Sequence, residues 1–362
     1  MRRVLRFATP EGPSALERML QRRSIVPDAR FLPLPDPVGA PPFRLNLDDV
    51  IGPVDRPFRF HCVGDTGGHR DLAPQRRVAA EMAADLARPD PPRFFFHLGD
   101  VVYPHGEAEH YRAQFDAPYA DYTAPIFAVP GNHDAENGFV SGELALAPFS
   151  AHFSSDTVPL HEAGAAVRPP VRQPHVYWTL VHDWVRIVGL WANQPEGGQF
   201  DADQLEWLVG ELRDTPPETL VILALHQPVY SADVTHGSNL ELVDLLDELS
   251  ARAGRGPDAV FSGHAHVYER FTRHVDGREI PFVVAGAGGY PELHPLGRGV
   301  GLLPARFPGV PDVTLDAYQD RAHGFMTVTV APGRAQVVYT TTGPEGPIRA
   351  DAFRVTSPSR RI

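Results

Sequence analysis

Five short polar motifs each follow an apolar, strand-like run, and together they collect a set of metal-binding side chains. Phe58–Val63 leads into Gly64-Asp65-Thr66-Gly67, and Phe94–Leu98 into Gly99-Asp100-Val101-Val102-Tyr103. Ile126–Val129 leads into Gly131-Asn132-His133-Asp134, Leu220–Leu225 into His226, and Ala259–Phe261 into Gly263-His264-Ala265-His266. In open α/β sheets the carboxyl edge of the strands is where ligands bind. Oxygen and imidazole donors with no thiolate suit hard or borderline cations such as iron, zinc or manganese. Two such cations about 3.5–4 Å apart clamp the attacking and leaving oxygens of an in-line displacement. The chemistry these residues point to is two-metal hydrolysis of a phosphate ester.

Each motif also has a plainer reading. Asp65 and Asp100 are carboxylate ligands, or turn residues of the Gly-Asp kind that often follow strands. Asn132 can ligate through its amide oxygen while His133 reaches past it, or the pair is a turn. His264 and His266 would point to opposite faces of an extended chain, but in a loop they can converge on neighbouring ions. His226 ends a six-residue apolar run, where a histidine is either a hydrogen-bonded core residue or a ligand. Only the co-occurrence of all five motifs favours the metal reading.

To bring these side chains together, the runs must be strands whose ends share an edge. A helix around Gln75–Ala87 follows the first motif and one around Ala108–Phe115 the second, an alternation that predicts a layered α/β domain. Strand patterns recur at Val176–Leu180, Val185–Leu190, Phe282–Ala285, Phe325–Val330 and Ala335–Thr341. A helix starting near Asp201 has Gln204 three residues on, the capping signature, with Leu205 and Leu208 on one face. Leu240–Ala251 predicts another amphipathic helix. The Pro- and Gly-rich stretch 25–57 reads as an arm or linker, preceded by a short helix opened by the capping box Ser14 to Glu17. Residues 135–175 and 286–322 read as long loops, which inside a compact domain are usually functional or mobile. The second, with Tyr290 and His294, is expected near the site. The expected organisation is an N-terminal arm with a short helix over 1–55 and a catalytic domain over 56–355. The fold class is α/β, a two-sheet β-sandwich flanked by helices.

The ordered set of motifs resembles the calcineurin-like metallophosphoesterase superfamily and its four-layer fold. Many relatives open with Asp-Xaa-His, but Gly67 stands here where that histidine would be. Tyr103, three residues beyond Asp100, replaces it, the hallmark of purple acid phosphatases, which the chain resembles from Gly64 to Arg270. Tyr268-Glu269-Arg270 and His110–Tyr119 are similar to the plant-type branch. The resemblance implies that Asp65, Tyr103 and His266 hold an iron(III). It implies that Asn132, His226 and His264 hold a divalent iron, zinc or manganese, with Asp100 bridging the two ions. It further implies a phosphomonoesterase in which hydroxide on the metals attacks phosphorus and His133 stabilises the developing charge or protonates the leaving group. Plant-type members often carry adjacent histidines about ten positions after the fourth motif. Thr235 and His236 occupy those places, so His236 alone is expected as leaving-group acid. His69, His105 and His110 either line the substrate mouth or are solvated loop residues.

Composition narrows the alternatives. All 33 basic residues are Arg, which excludes the P-loop lysine, Schiff-base chemistry and the kinase lysine. A net charge of −12 argues against general nucleic-acid or anionic-membrane binding, although a metal pair supplies positive charge locally. The single Cys62 allows no internal disulfide and reads as a buried thiol. No apolar stretch approaches the ~20 residues of a membrane span. No apolar segment follows Arg2-Arg3 as a signal would require, so the expected location is cytoplasmic. The expected partner is a small phosphate ester; the sequence leaves oligomeric state open. A phosphodiesterase or nucleotide pyrophosphatase would use the same motifs, with pocket size separating them. A non-catalytic interaction protein of the same fold is the second alternative, against which the intact ligand set argues.

Overall fold

The computed structural model describes residues 33–68, 70–142, 144–155, 168, 171–192, 200–297 and 302–357. The short helix expected after Ser14 and the residue His69 lie outside that set. Numbered along the chain, the strands form two sheets. The larger runs in the order β1 (Arg44–Asn46), β5 (Trp178–His182), β6 (Val185–Gly189), β7 (Leu220–Ala224), β8 (Ala259–Ser262), β10 (Arg278–Ala285), β9 (Tyr268–Val275), β12 (Val313–Gln319) and β11 (Ala305–Arg306). The smaller runs β15 (Ile348–Thr356), β14 (Arg334–Thr341), β13 (Gly324–Ala331), β2 (Phe58–Val63), β3 (Pro92–His97) and β4 (Ile126–Ala128). The helices are α1 (Leu47–Ile51), α2 (Ala73–Asp85), α3 (Asn132–Ala135), α4 (Asn137–Val140), α5 (Ala147–Phe153), α6 (Ala202–Arg213) and α7 (Glu241–Ala253). The expected class, two sheets flanked by helices, is the one observed.

The apolar runs are continuous because their strands are covered on both faces. Along β7, Leu220, Ile222 and Ala224 enter the core between the sheets, while Val221 and Leu223 face the opposite way. There they meet Leu205, Leu208 and Leu212 of α6 and Leu242, Leu245 and Leu249 of α7, the three-to-four spacing of a helix face. Each such buried side chain contributes about 1.5–3 kcal/mol of transfer free energy. Aromatic contacts join the sheets: Phe96 stacks on Trp178 at 6.0 Å and Tyr268 on Tyr339 at 3.8 Å. Helix α6 begins as its sequence predicts, with the Asp201 side chain accepting from Gln204 N at 2.8 Å.

Several local expectations change: the stretch 135–175, read as a loop, carries α4 and α5, and the stretch 286–322, read as a loop, carries β11 and β12. In place of a helix around Ala108–Phe115 there is a 3-10 turn at Ala108–His110 and a π-helical turn at Arg112–Asp116. The wider turn buries Gln114, Phe115 and Asp116 side by side, which one stripe of an α-helix cannot do. The stretch read as arm or linker carries regular structure at its end. β1 pairs in parallel with β5, and Arg44 holds Glu211 at 2.8 Å. Among the described residues no helix is long and apolar enough to cross a membrane.

Candidate metal centre

β2, β3 and β4 are parallel neighbours, as are β7 and β8, so their carboxyl ends deliver the five motif loops to one edge. Backbone bonds tie these loops together across the two sheets: Gly64 N donates to Ala285 O at 2.9 Å, Asp65 N to Gly99 O at 2.9 Å and Gly263 N to His226 O at 3.0 Å. His264 N donates to Asp65 Oδ2 at 2.8 Å and His133 N to Asp100 Oδ1 at 3.0 Å. Three of the side chains stand on left-handed backbone, Asp65 at φ 55°, Asp100 at 55° and His264 at 70°. Such conformations cost a non-glycine residue about 1–3 kcal/mol and gather at functional sites.

The structure brings all seven candidate ligands together in two overlapping groups. The Tyr103 hydroxyl lies 3.3 Å from Asp65 Oδ1, 3.0 Å from Asp100 Oδ2 and 3.3 Å from His266 Nε2. On the other side, ligand atoms of Asp100, His226 and His264 all lie within 4.8 Å of one another, and His264 Nδ1 faces Asn132 Oδ1 at 3.0 Å. Asp100 belongs to both groups. The Nδ1–H of His226 donates to Leu98 O at 2.9 Å and that of His266 to Glu292 O at 3.0 Å, leaving both Nε2 lone pairs for the cluster. His226 Nε2 is buried with no aligned hydrogen bond, although Asp100 Oδ2 is 3.2 Å away. An orphaned buried nitrogen beside two carboxylates fits a cation site.

Close approach explains the glycines. A Cβ on Gly67 would lie 2.8 Å from Tyr103 Cδ2 and 2.7 Å from Val101 O, so the absent histidine at this position is what admits the tyrosine ring. A Cβ on Gly131 would collide with Asp100 Oδ1.

The charges are in conflict without a cation. Burial and the neighbouring Asp100 push the Asp65 carboxyl well above its usual range. Burial opposes ionisation of Asp100 too, but His226 and His133 hold it far below. Burial works against charge on His226, yet Asp100 and Asp65 push it up to about 9. Burial and the neighbouring His294 bring His266 down to about 3. Burial, Asp100 and Asp65 raise Tyr103 well above its usual value. Positive charge among these groups would satisfy both carboxylates and replace the protons on His226 and Tyr103.

Several residues that hold this geometry carry little functional signal in the sequence. Asp134 accepts from Gly131 N at 2.8 Å, Val101 N at 3.0 Å and Val102 N at 3.2 Å, locking the second and third motifs. Gln114 accepts from Tyr103 N at 2.9 Å and donates to Tyr103 O at 2.5 Å. His97 bonds Thr66 Oγ1 at 2.8 Å and accepts from Gly99 N at 3.1 Å. Asp134 sits inside a quoted motif and His97 at a strand end, weak signals for both; Gln114 carried none.

The outer-sphere candidates are nearby. His133 Nδ1 donates to Pro104 O at 2.6 Å, and its ring lies 4.5 Å from that of Tyr103. The His236 ring lies 4.0 Å from that of His264. Tyr290 packs on Tyr103 at 4.5 Å and on His266 at 4.4 Å, and His294 stacks on His266 at 4.3 Å, so both residues lie near the site as expected. His105 pairs with Glu136 at 2.8 Å, the carboxylate that also faces His133 at 3.5 Å. His110 closes the 3-10 turn.

Behind this wall Glu269 is fully buried, with Oε2 2.7 Å from Ser231 Oγ, which is itself 3.0 Å from Asp233 Oδ1. Ser231 has one hydroxyl proton facing two carboxyl groups, an arrangement that a protonated Glu269 completes by donating to Ser231 while Ser231 donates to Asp233. Burial pushes the Glu269 carboxyl up to about 8 from 4.5. An acid raised in the folded state stabilises fully below its unfolded pKa and loses that contribution as pH rises through the folded one. Thermal stability should therefore fall more steeply between pH 4.5 and 8 in the wild type than in Glu269→Gln. Parallel melting-temperature profiles would show that Glu269 is ionised in the fold.

A two-sheet sandwich with this cluster at its strand ends defines a phosphoesterase fold, and the Calcineurin-like phosphoesterase family model matches residues 58–268. That is more than half of the chain, which belongs to this family. Among curated proteins it is similar to Probable purple acid phosphatase 20 of Arabidopsis thaliana, 26% identical over 154 residues, covering 41% of this chain and 33% of the relative. Purple acid phosphatase 18 of Arabidopsis thaliana is 24% identical over 270 residues, covering 66% of this chain and 57% of its own length. The chain thus spans about a third to somewhat over half of these relatives. Purple acid phosphatase PPD1 from yellow lupin (Lupinus luteus) superposes with a TM-score of 0.60 at 16% identity, over 83% of this chain and 54% of that one. GAP50, the anchor in the inner membrane complex of Plasmodium, gives 0.57 at 14% identity, over 84% and 90%. At these identities the structures show a shared fold.

Proposed function

We propose that the chain hydrolyses phosphate monoesters at a two-metal centre, residues 56–355 forming the catalytic unit. Asp65, Tyr103 and His266 would hold one ion, Asn132, His226 and His264 the other, and Asp100 both. The observation that carries this reading is the shared position of Asp100, whose Oδ2 lies 3.0 Å from the Tyr103 hydroxyl and 3.2 Å from His226 Nε2. The family uses a dinuclear metal site; the tyrosine favours iron(III) at the first position, with divalent iron, zinc or manganese at the second. Bound there, the cations would polarise phosphoryl oxygens and acidify water. Around them, His133 is held at Nδ1 by Pro104 O, leaving Nε2–H to donate to a phosphate oxygen. Its positive charge is favoured by Asp100 and Glu136, which outweigh burial and push it up to about 10. His236, packed on His264, offers an imidazole for the leaving oxygen. The substrate is a small phosphate ester.

Elemental analysis combined with a chromogenic phosphomonoester and phosphodiester, assayed side by side, tests this. About two metal equivalents and faster monoester hydrolysis are expected. Zero or one equivalent after careful loading would sink the two-metal reading, and a preference for the diester would move the assignment to a phosphodiesterase. The oxidised iron-loaded protein should also absorb visible light through tyrosinate bound to iron(III). Tyr103→Phe should lose that band and keep its fold; a band that survives the substitution removes Tyr103 from the metal.

A further inference from the structure

Asp233 has no place in the metal centre, yet it organises one wall of it. Its side chain is entirely buried, and it accepts from Gly237 N at 2.7 Å, Thr235 N at 3.1 Å and His236 N at 3.1 Å. The same carboxylate lies 3.2 Å from His294 Nδ1. One acidic residue therefore anchors the backbone that carries His236 and faces the side chain of His294, which come from loops about sixty residues apart. The loops are also joined along their backbones, Val234 N donating to Pro295 O at 3.2 Å and Gly297 N to Ala232 O at 2.7 Å. Underneath, Ser231 Oγ links Asp233 Oδ1 at 3.0 Å to Glu269 Oε2 at 2.7 Å.

The two histidines form a row over the candidate ligands. His236 lies on His264 at 4.0 Å, His294 on His266 at 4.3 Å, and their own ring centroids are 5.1 Å apart. His294 Nδ1 lies 3.2 Å from Asp233 and 3.1 Å from the backbone N of His266; a single ring nitrogen serves one of them at a time, donating to the carboxylate or accepting from the amide. Its Nε2 is the ring atom left for a ligand. The His294 side chain is 13% exposed and His236 is exposed, so the row borders solvent on the side from which an ester would enter.

We propose that Asp233 is a positioning residue that sets His236 and His294 as paired imidazoles on the leaving-group side of the centre, His294 being a second contact to the departing oxygen. The proposal rests on the phosphomonoesterase reading. An alkyl leaving group needs stabilisation as its bond to phosphorus breaks, whereas a nitrophenolate hardly does, so the wall should matter for the first kind of ester.

The test uses the metal-loaded full chain with an alkyl phosphate and a nitrophenyl phosphate. Asp233→Asn should lower kcat on the alkyl ester about 10- to 100-fold and on the nitrophenyl ester by less than about threefold, below the full loss of a general acid. KM should change little and metal content should stay at two equivalents. His294→Phe keeps a ring to stack on His266 and removes its nitrogens, so it should show the same selective loss and serves if Asp233→Asn does not fold. Combined, the two substitutions should cost less than the product of their separate effects, because they act on one contact. Equal slowing of both esters, or loss of metal, overturns the proposal and leaves Asp233 as a structural brace. A metal-loaded wild type that hydrolyses neither ester instead overturns the phosphatase reading, and this proposal with it.

Discussion

Asp100→Ala is expected to take the protein from about two metal equivalents to nearly none. Asp100 is the residue common to both ligand groups, its Oδ2 facing the Tyr103 hydroxyl and His226 Nε2 while its Oδ1 accepts from His133 N. It is 1% exposed, and water cannot take over its role without reopening the cluster. Monoester turnover should fall by at least ~10³-fold, more than the loss of one transition-state donor, because the ions and the seat of His133 go together. Asn132→Ala should instead weaken only the second ion, retaining about one equivalent. The expected loss is separable from unfolding. Asp100 stands at φ 55°, and glycine relieves the 1–3 kcal/mol or so that such backbone costs. Asp100→Gly should thus be metal-free yet keep its melting transition. Two equivalents retained in either variant would mean that the ions do not share this carboxylate.

How much of this was legible depends on where each interaction is made. The five runs were readable because strands covered on both faces must be apolar throughout, and Phe58–Val63 was read with its true ends. A Gly-Asp or His pair directly after such a run is placed at the strand edge by chain connectivity alone. β9 was missed because its alternation, with Arg270 facing Asp351 at 2.7 Å and Arg273 held by Asp247 at 2.7 Å, looks polar and continues from a motif. β15 was missed for a similar reason, since most of it is exposed or half-buried. Gln114, Asp134 and Asp233 act on backbone groups, and His294 on another loop. A side chain that serves a backbone N–H leaves no partner residue type to search for. The meeting of His294 with Asp233 depends on how two loops pack, which no local pattern encodes. Gly67 was readable only in part: the missing histidine was visible, but the ring contact with Tyr103 that rewards its absence was not.

His133→Ala should slow alkyl and nitrophenyl phosphates alike, by about 10²–10³-fold as for loss of a single transition-state donor, with metal content unchanged. The reason lies in how the ring is held. Its Nδ1 is tied to Pro104 O at 2.6 Å, its ring lies on Tyr103 at 4.5 Å, and its backbone N–H is bound by Asp100. These constraints hold the imidazole beside the candidate ligands Tyr103 and Asp100 with Nε2–H directed, in the proposed reaction, to a phosphoryl oxygen, which gains charge whatever the leaving group. His236→Ala should be selective, since its imidazole packs on His264, where the proposed reaction would release the leaving oxygen. It should depress the alkyl ester by about 10²-fold, at the lower end for a general acid, and the nitrophenyl ester far less. The contrast between the two substitutions is the measurement: the ratio of alkyl to nitrophenyl turnover should stay constant in His133→Ala and collapse in His236→Ala. A constant ratio in both would place His236 on the phosphate rather than the leaving group. Normal turnover in both, with two metals bound, would remove imidazole chemistry from this site and leave the cations to act without it.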